Sequence, residues 1–373
     1  VRAFVPHPLP PHDPPLDLAL LADRLHAAEQ ALLRLDLAGE MVPSVDWFIY
    51  AFVRKEAVVS SQIEGTQATL EDLLQHEAHA TGADEPSPGV GEVCNYLDAL
   101  QWARGQMADP SAPPLSIRLL NGAHERLLQG TRGAARSPGE IRRSQNWIGG
   151  SRPGNAVFVP PPPHLVPEAL SAMERYIHAD DLLPPLVRAG LLHVQFETIH
   201  PYLDGNGRIG RLLVSLLLEH WGLLRRPLLY LSLFFKRHRA EYYRRLGMVR
   251  TDGDWEAWLD FFLDGVATVA DEAVAASRDL FALVSEDRQR LLARPSASIG
   301  AMRLFELLPK NPIVSSTSVM RLLDTTRPAA GRAIDALVDA GILVETTGRR
   351  RDRSYTYDRY LALLREGTEL EGR

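Results

Sequence analysis

Apolar residues recur at helical spacing through most of the chain. Leu18, Leu21, Leu25, Ala28, Leu32 and Leu35 fall on one face between Leu16 and Leu37 and predict an amphipathic helix. A second helix is expected from Ser44, whose hydroxyl can cap it, through Trp47, Phe48, Ala51, Phe52 and Lys55 to Glu64, where Gly65 can close it in a left-handed turn. Helical patterns follow at 93–107 and 116–128. Leu186, Gly190, Leu191, Val194 and Thr198 share a face of a helix that stops before Pro201. Leu212–Leu218 is apolar on most sides and reads as a buried helix. Leu228–Phe235 is core. Trp255, Trp258, Leu259, Phe262 and Val266 are the inward face of a further helix, and another helical stretch runs from Leu280 to Leu292.

Breaks divide these patterns. Residues 1–15 are proline-rich and extended. Residues 81–90 form a loop. Gly139–Gly150 and Asn155–Pro160 are β-favouring runs around a Gly/Pro turn, predicting a hairpin. Arg294–Ser298 marks another boundary. Beyond it, helices are expected at 301–308, 317–323 and 328–340, with strands at 342–345 and 354–357 flanking a basic turn. The fold class is mainly α. Four units are expected: an N-terminal helical region over 1–85, a catalytic domain over 86–278, a helical connector over 279–295 and a C-terminal unit over 296–373.

Composition narrows the function. The chain has 373 residues, 45% hydrophobic and 24% charged, ordinary for a globular protein. A net charge of −6 argues against wholesale coating of nucleic acid. Cys94 is the single cysteine, so no intrachain disulfide can form. No apolar run reaches membrane-spanning length, because Glu219, His220, Arg225 and Arg226 interrupt the longest. The start carries no apolar leader, and the expectation is a cytoplasmic protein.

The chemistry is concentrated at His200–Arg211, a helix–loop–helix corner. Free N–H groups at the start of the second helix, beside Gly205 and Gly207, form an anion site. Arg208 and Arg211 are three apart and can face one anion. Asp204 is placed to hold a divalent cation that bridges phosphate oxygens. His200 can take a proton from an attacking hydroxyl. These are the parts that phosphorus-group transfer from a nucleotide needs. Gly205-x-Gly207-x-x-Gly210 matches the dinucleotide fingerprint, but a helix and a proline precede it instead of a strand.

The run His200-Pro201-Tyr202-Leu203-Asp204-Gly205-Asn206-Gly207-Arg208-Ile209-Gly210-Arg211 resembles the signature of the Fic family, His-Pro-Phe-x-Asp-Gly-Asn-Gly-Arg-x-x-Arg, with Tyr202 for Phe. Family members transfer AMP from ATP to a protein hydroxyl. The resemblance implies that His200 is the general base and Asp204 the Mg²⁺ ligand. It implies that the backbone around Gly205 to Gly207 and the Asn206 side chain hold the α- and β-phosphates, with Arg208 steadying them and Arg211 gripping the γ-phosphate. Ser60-x-x-x-Glu64-Gly65 resembles the family's inhibitory motif, here ahead of the core. Glu64 would then pair with Arg211 and suppress productive ATP binding by about one to two orders of magnitude. The hairpin lies where Fic proteins carry a flap, so Asn155, Ala156, Val157 and Phe158 are expected to dock the target segment. Tyr242 and Tyr243 resemble the residues on the adenosine side, where a ring can stack on the base. The C-terminal unit resembles a winged helix with Arg327, Arg332 and a basic wing toward DNA.

The resulting expectation is an autoinhibited protein adenylyltransferase of Fic type, a helical bundle with a β-hairpin flap and a C-terminal winged helix-turn-helix domain. It would use ATP and Mg²⁺ on Ser, Thr or Tyr hydroxyls of target proteins and of itself. A homodimer and DNA stay open as partners, and no membrane is expected. Three rivals stand beside it: removal of AMP at the same site, a DNA-binding regulator with a nucleotide-sensing core, and a metal hydrolase built on His193, Glu197, His200 and Asp204.

Overall fold

The computed structural model describes residues 2–41, 45–79, 86–131, 133–348 and 353–370. Its elements, in order, are α1 (Ala22–Met41), α2 (Val45–Ile63), α3 (Leu70–His79), α4 (Pro88–Ala108), α5 (Ile117–Leu128), α6 (Val166–His178), α7 (Pro185–Ile199), α8 (Asn206–His220), α9 (Ser232–Arg237), α10 (Arg239–Asp252) and α11 (Trp255–Leu292). The C-terminal part adds α12 (Ile299–Leu307), β1 (Ile313–Ser315), α13 (Ser316–Leu323), α14 (Arg327–Asp339), β2 (Val344–Glu345), β3 (Ser354–Thr356) and α15 (Asp358–Arg365).

α7 is the centre of the molecule. Every residue from Leu186 to Ile199 is buried, because α6, α8, α10 and α11 all pack against it. Its polar side chains, Arg188, His193, Gln195, Glu197 and Thr198, are therefore buried as well. Trp258 is fully buried and donates its indole N–H to the Gly190 carbonyl at 2.9 Å. α1 lies along α11, apolar face inward, with Arg24 bridging Asp260 and Asp264 on the outside.

Beyond α11, the four helices α12–α15 and an antiparallel sheet of order β1-β3-β2 form a small unit among the described residues. Ile313 and Val344 both pair with Thr356. The strand β1 and the helix α15 are additions to the sequence reading. β1 is three residues long, too short for an alternation to register.

Two expectations are corrected. The boundary at 278/279 falls inside α11, a single helix of 38 residues. Nothing in the sequence near Arg278 stops a helix, since neither Gly nor Pro occurs there. The hairpin reduces to one bridge, Ile148 to Phe158, around a tight turn at Pro153–Asn155. Ser44 and the basic wing residues Arg349–Asp352 lie outside the described residues. Among those described, no helix is long and apolar enough to cross a membrane.

Candidate functional site

The corner between α7 and α8 is shaped by its backbone. Pro201 disfavours a helical conformation at the residue before it, and α7 ends with His200 in the left-handed region at φ 49°. Gly205, at φ 77°, sits at the cap position of α8 and leads into its first turn. Asp204 accepts from the Gly205 N–H at 2.6 Å and keeps its side chain about two-fifths exposed. The Asn206 side chain bridges the Tyr202 N–H and C=O, both at 2.8 Å. This corrects the expectation for Asn206: its side chain staples the loop, and its position at the start of α8 leaves the main chain to face an anion.

Residues outside the signature hold this loop. Arg142 is buried and donates Nε to the His200 carbonyl at 2.9 Å and Nη2 to the Pro161 carbonyl at 2.6 Å. Asn146 donates to the Tyr202 carbonyl at 3.0 Å. His124 stacks on Tyr202 with ring centroids 3.8 Å apart. Its Nδ1 accepts from the Gly139 N–H at 2.9 Å, so its Nε2 carries the proton and donates to the Asp204 carbonyl at 3.0 Å. None of these was visible in the sequence. Each is a lone polar residue that gains meaning only when a distant segment folds against it.

Arg211 is buried and held through its Nε and Nη2. Its Nε donates to Ser60 Oγ at 2.9 Å, and its Nη2 donates to the Ser60 carbonyl and to Glu64 Oε1, each at 2.8 Å. Glu64 follows the last turn of α2 and points at the start of α8. A Cβ at Gly207 would lie 2.2 Å from Glu64 Oε1, so only glycine lets the carboxylate come this close. Burial raises the Glu64 pKa, but the charges of Arg211 and then Arg208 hold it below the ordinary carboxylate value. Arg208 is also buried, with Nη2 3.7 Å from Asp204 and Nη1 4.0 Å from Glu92. Its Nε and Nη1 have no hydrogen-bond partner among the described residues. A buried guanidinium left this way suits an incoming anion.

His200 is held neutral. Burial, then the positive charge of Arg250, pushes its pKa down to about 3. Its Nδ1 is buried without a hydrogen bond among the described residues, 4.0 Å from Glu197 Oε2. Burial, with a contribution from Glu64, pushes the Glu197 carboxyl up to about 7 against Arg211 and Arg250.

The remaining candidates separate. Tyr242 is a core residue: its ring stacks on Phe235 at 4.4 Å, and its hydroxyl donates to His193 Nε2 at 2.9 Å. It cannot stack on a base, a correction to the paired-tyrosine expectation. Tyr243 is 44% exposed, with the Arg239 guanidinium 5.8 Å over its ring. Asn155 spends its side-chain oxygen on the N–H groups of Ser151 and Arg152, closing its own turn. Phe158 is wedged between Phe4, at 6.0 Å, and the Arg250 guanidinium, at 4.1 Å. Ala156 is half-buried and Val157 faces outward.

His193 is fully buried and bound to the Gly210 carbonyl and Tyr242. Among the described residues no cluster of three or more His, Cys, Asp or Glu side chains could hold a metal ion. The metal-hydrolase reading therefore lacks its ligand set. Asp204 alone, half-exposed beside Arg208, fits Mg²⁺ that arrives on phosphates, because that ion commonly takes one or two carboxylates and completes its shell with phosphate and water.

The fold and this corner define a class. The Fic/DOC family N-terminal profile matches residues 22–104, and the Fic/DOC family profile matches residues 114–218. The fold is similar to a Fic family protein from Desulfovibrio desulfuricans G20, with a TM-score of 0.58 and 20% identity over 92% of this chain and 97% of that one. It is also similar to Fic-1 from C. elegans, with a TM-score of 0.53 and 21% identity over 70% of this chain and 74% of that one. A probable protein adenylyltransferase of Aquifex aeolicus is 26% identical over 179 residues, 48% of this chain and 51% of the relative. The protein adenylyltransferase Fic of Drosophila erecta is 31% identical over 144 residues, 38% of this chain and 26% of that protein. The chain thus spans about half the length of the first relative and about a quarter of the second. It carries Fic/DOC family domains and is homologous, at low identity, to Fic protein adenylyltransferases.

Proposed function

We propose that this chain transfers AMP from ATP to hydroxyl groups of proteins and that its own Glu64 holds it off. The observation that carries the reading is the engagement of Arg211 by Glu64 and Ser60 in the same corner that presents a neutral His200. In the active form His200 accepts the proton of a target hydroxyl. The hydroxyl oxygen forms a bond to the α-phosphorus, the bond from that phosphorus to the bridging oxygen breaks, and pyrophosphate leaves. Arg208 and the N–H groups at the start of α8 meet the charge on the phosphates. Arg211 orients the γ-phosphate once Glu64 releases it. Asp204 would hold Mg²⁺, which when bound neutralises phosphate charge. Tyr243, the exposed ring of the pair, is the one proposed to stack on the adenine. The exposed Val157 side of the bridge is the edge proposed for the target segment.

The C-terminal helices and sheet support a winged-helix reading, with Arg327 and Arg332 exposed on the third helix of that unit. DNA or a protein is the partner to test there.

The deciding experiment supplies ATP labelled at the α- or the γ-phosphate to wild type, Glu64→Gly and His200→Ala. Label from the α position alone, raised in Glu64→Gly and absent in His200→Ala, is the expected result. Label from the γ position would make the protein a kinase.

A further inference from the structure

We infer that residues 366–370 form a strap that holds α2 in its closed position, so that the C-terminal unit controls whether Glu64 stays on Arg211. This rests on the reading of Glu64 as an inhibitory latch. The strap follows directly on β3 and α15, and it meets the C-terminal end of α2 at Gln62.

The contacts converge two residues before the latch. Gln62 is buried, and its Nε2 donates to the Thr368 carbonyl at 2.8 Å and to the Ala68 carbonyl at 2.9 Å. Its Oε1 accepts from Lys236 Nζ at 2.7 Å. Lys236, on α9, also donates to the Glu369 carbonyl at 2.5 Å and reaches the Gly367 carbonyl at 3.5 Å. Three successive main-chain carbonyls of the strap are thus read by two side chains. Thr368 is buried and turned back onto the Arg365 carbonyl by both its N–H and its hydroxyl. Arg365 pairs with Glu71 of α3, on the far side of the latch in sequence.

The consequence follows from desolvation. A buried amide and an ammonium satisfied by the strap become costly to leave where they are once the strap departs. That cost falls on the closed position of α2, which weakens the hold of Glu64 on Arg211. A strap that merely fastened the C-terminal unit to the body would lower stability when broken and leave the latch alone.

Gly367 offers a way to break it without touching the nucleotide site. Its φ is +80°, and a Cβ there would lie 2.7 Å from Leu233 Cδ1. Full-length Gly367→Ala and Lys236→Gln are compared with wild type, Glu64→Gly and the Gly367→Ala/Glu64→Gly double variant, reading AMP transfer from α-labelled ATP. Each strap variant is expected to raise transfer about three- to tenfold, with no further gain in the Glu64→Gly background. Wild-type rates in both strap variants beside an active Glu64→Gly would overturn the strap and leave the latch standing. An equal gain in the Glu64→Gly background would overturn it too. If Glu64→Gly transfers nothing, the proposed function fails. Amide exchange at residues 58–65 then decides the strap alone: faster exchange in Gly367→Ala supports it, and unchanged exchange rejects it.

Discussion

Arg211 reaches across 147 residues of sequence to bind Glu64 at 2.8 Å, and both groups sit against the first turn of α8. On the proposed reading, the carboxylate stands where a nucleotide phosphate would be drawn. Glu64→Gly is expected to raise AMP transfer by about tenfold to a hundredfold, from the loss of one charge-assisted pair. Ser60→Ala removes the partner of Arg211 Nε but leaves Glu64 in place, and should give a smaller rise of about two- to fivefold. Initial rates with α-labelled ATP check both.

The neutral His200 sets a pH profile. Its folded value of about 3 lies below the ordinary histidine value of 6.5, so the unfolded chain takes up the proton first. The contribution to stability is complete above 6.5 and is lost as pH falls toward 3. In the Glu64→Gly background, transfer should not fall between about pH 8 and pH 5 through protonation of this group. A drop centred near 6.5 would show an ordinary, solvated imidazole.

Glu197 works in the opposite direction. Its folded value of about 7 exceeds its unfolded value of 4.5, so the folded state keeps a proton that the unfolded chain has released. The stabilisation is complete below 4.5 and is lost as pH rises through 7. Glu197→Gln should therefore raise stability by no more than about 1 kcal/mol at pH 5 and by about 3 kcal/mol at pH 8. Urea unfolding at the two pH values measures this.

The two tyrosines should part company. Tyr243→Ala is expected to weaken ATP binding to the Glu64→Gly protein by about 1–3 kcal/mol through lost stacking. Tyr242→Phe removes the hydroxyl on His193 and should cost about 1 kcal/mol of stability, with ATP affinity unchanged. Calorimetric titration and thermal melts separate the two effects.

His124 tests the support of the loop. His124→Ala removes the stack on Tyr202 and the link between Gly139 and the Asp204 carbonyl. A loss of about tenfold in kcat in the Glu64→Gly background is expected, because Asp204 loses its fixed position. His124→Asn, which keeps a polar link, should recover part of it.

How much of this was legible depended on whether a feature is periodic or tertiary. The helix from Leu186 to Ile199 and the one after Asn206 could be read, because repeated burial writes itself into spacing. The contact of Glu64 with Arg211 was readable only through resemblance, since nothing local connects the two. Arg142, Asn146 and His124 left no trace, because a single hydrogen bond across a loop imposes no pattern. The flap misled for a related reason. Its residues favour strands, but Asn155 closes a turn that leaves room for one bridge. Asn206 is the subtler case: its position in the motif was plain, while its partner, the backbone of Tyr202, is visible only in three dimensions.

The unbroken α11 has a mechanical meaning. At 38 residues it is a spar of about 57 Å, and α1 lies against it. Near its far end, fully buried Asp287 receives the Tyr357 hydroxyl and the Arg359 guanidinium, each at 2.8 Å. The C-terminal unit is thus pinned to the spar before the chain leaves it at Ala293. Swinging that unit as a body would tear a buried carboxylate from both partners. Tyr357 and Arg359 stand at the start of α15, so a signal arriving there travels more cheaply through the five residues after Arg365, which lie beyond both pins, than through rotation of the whole unit.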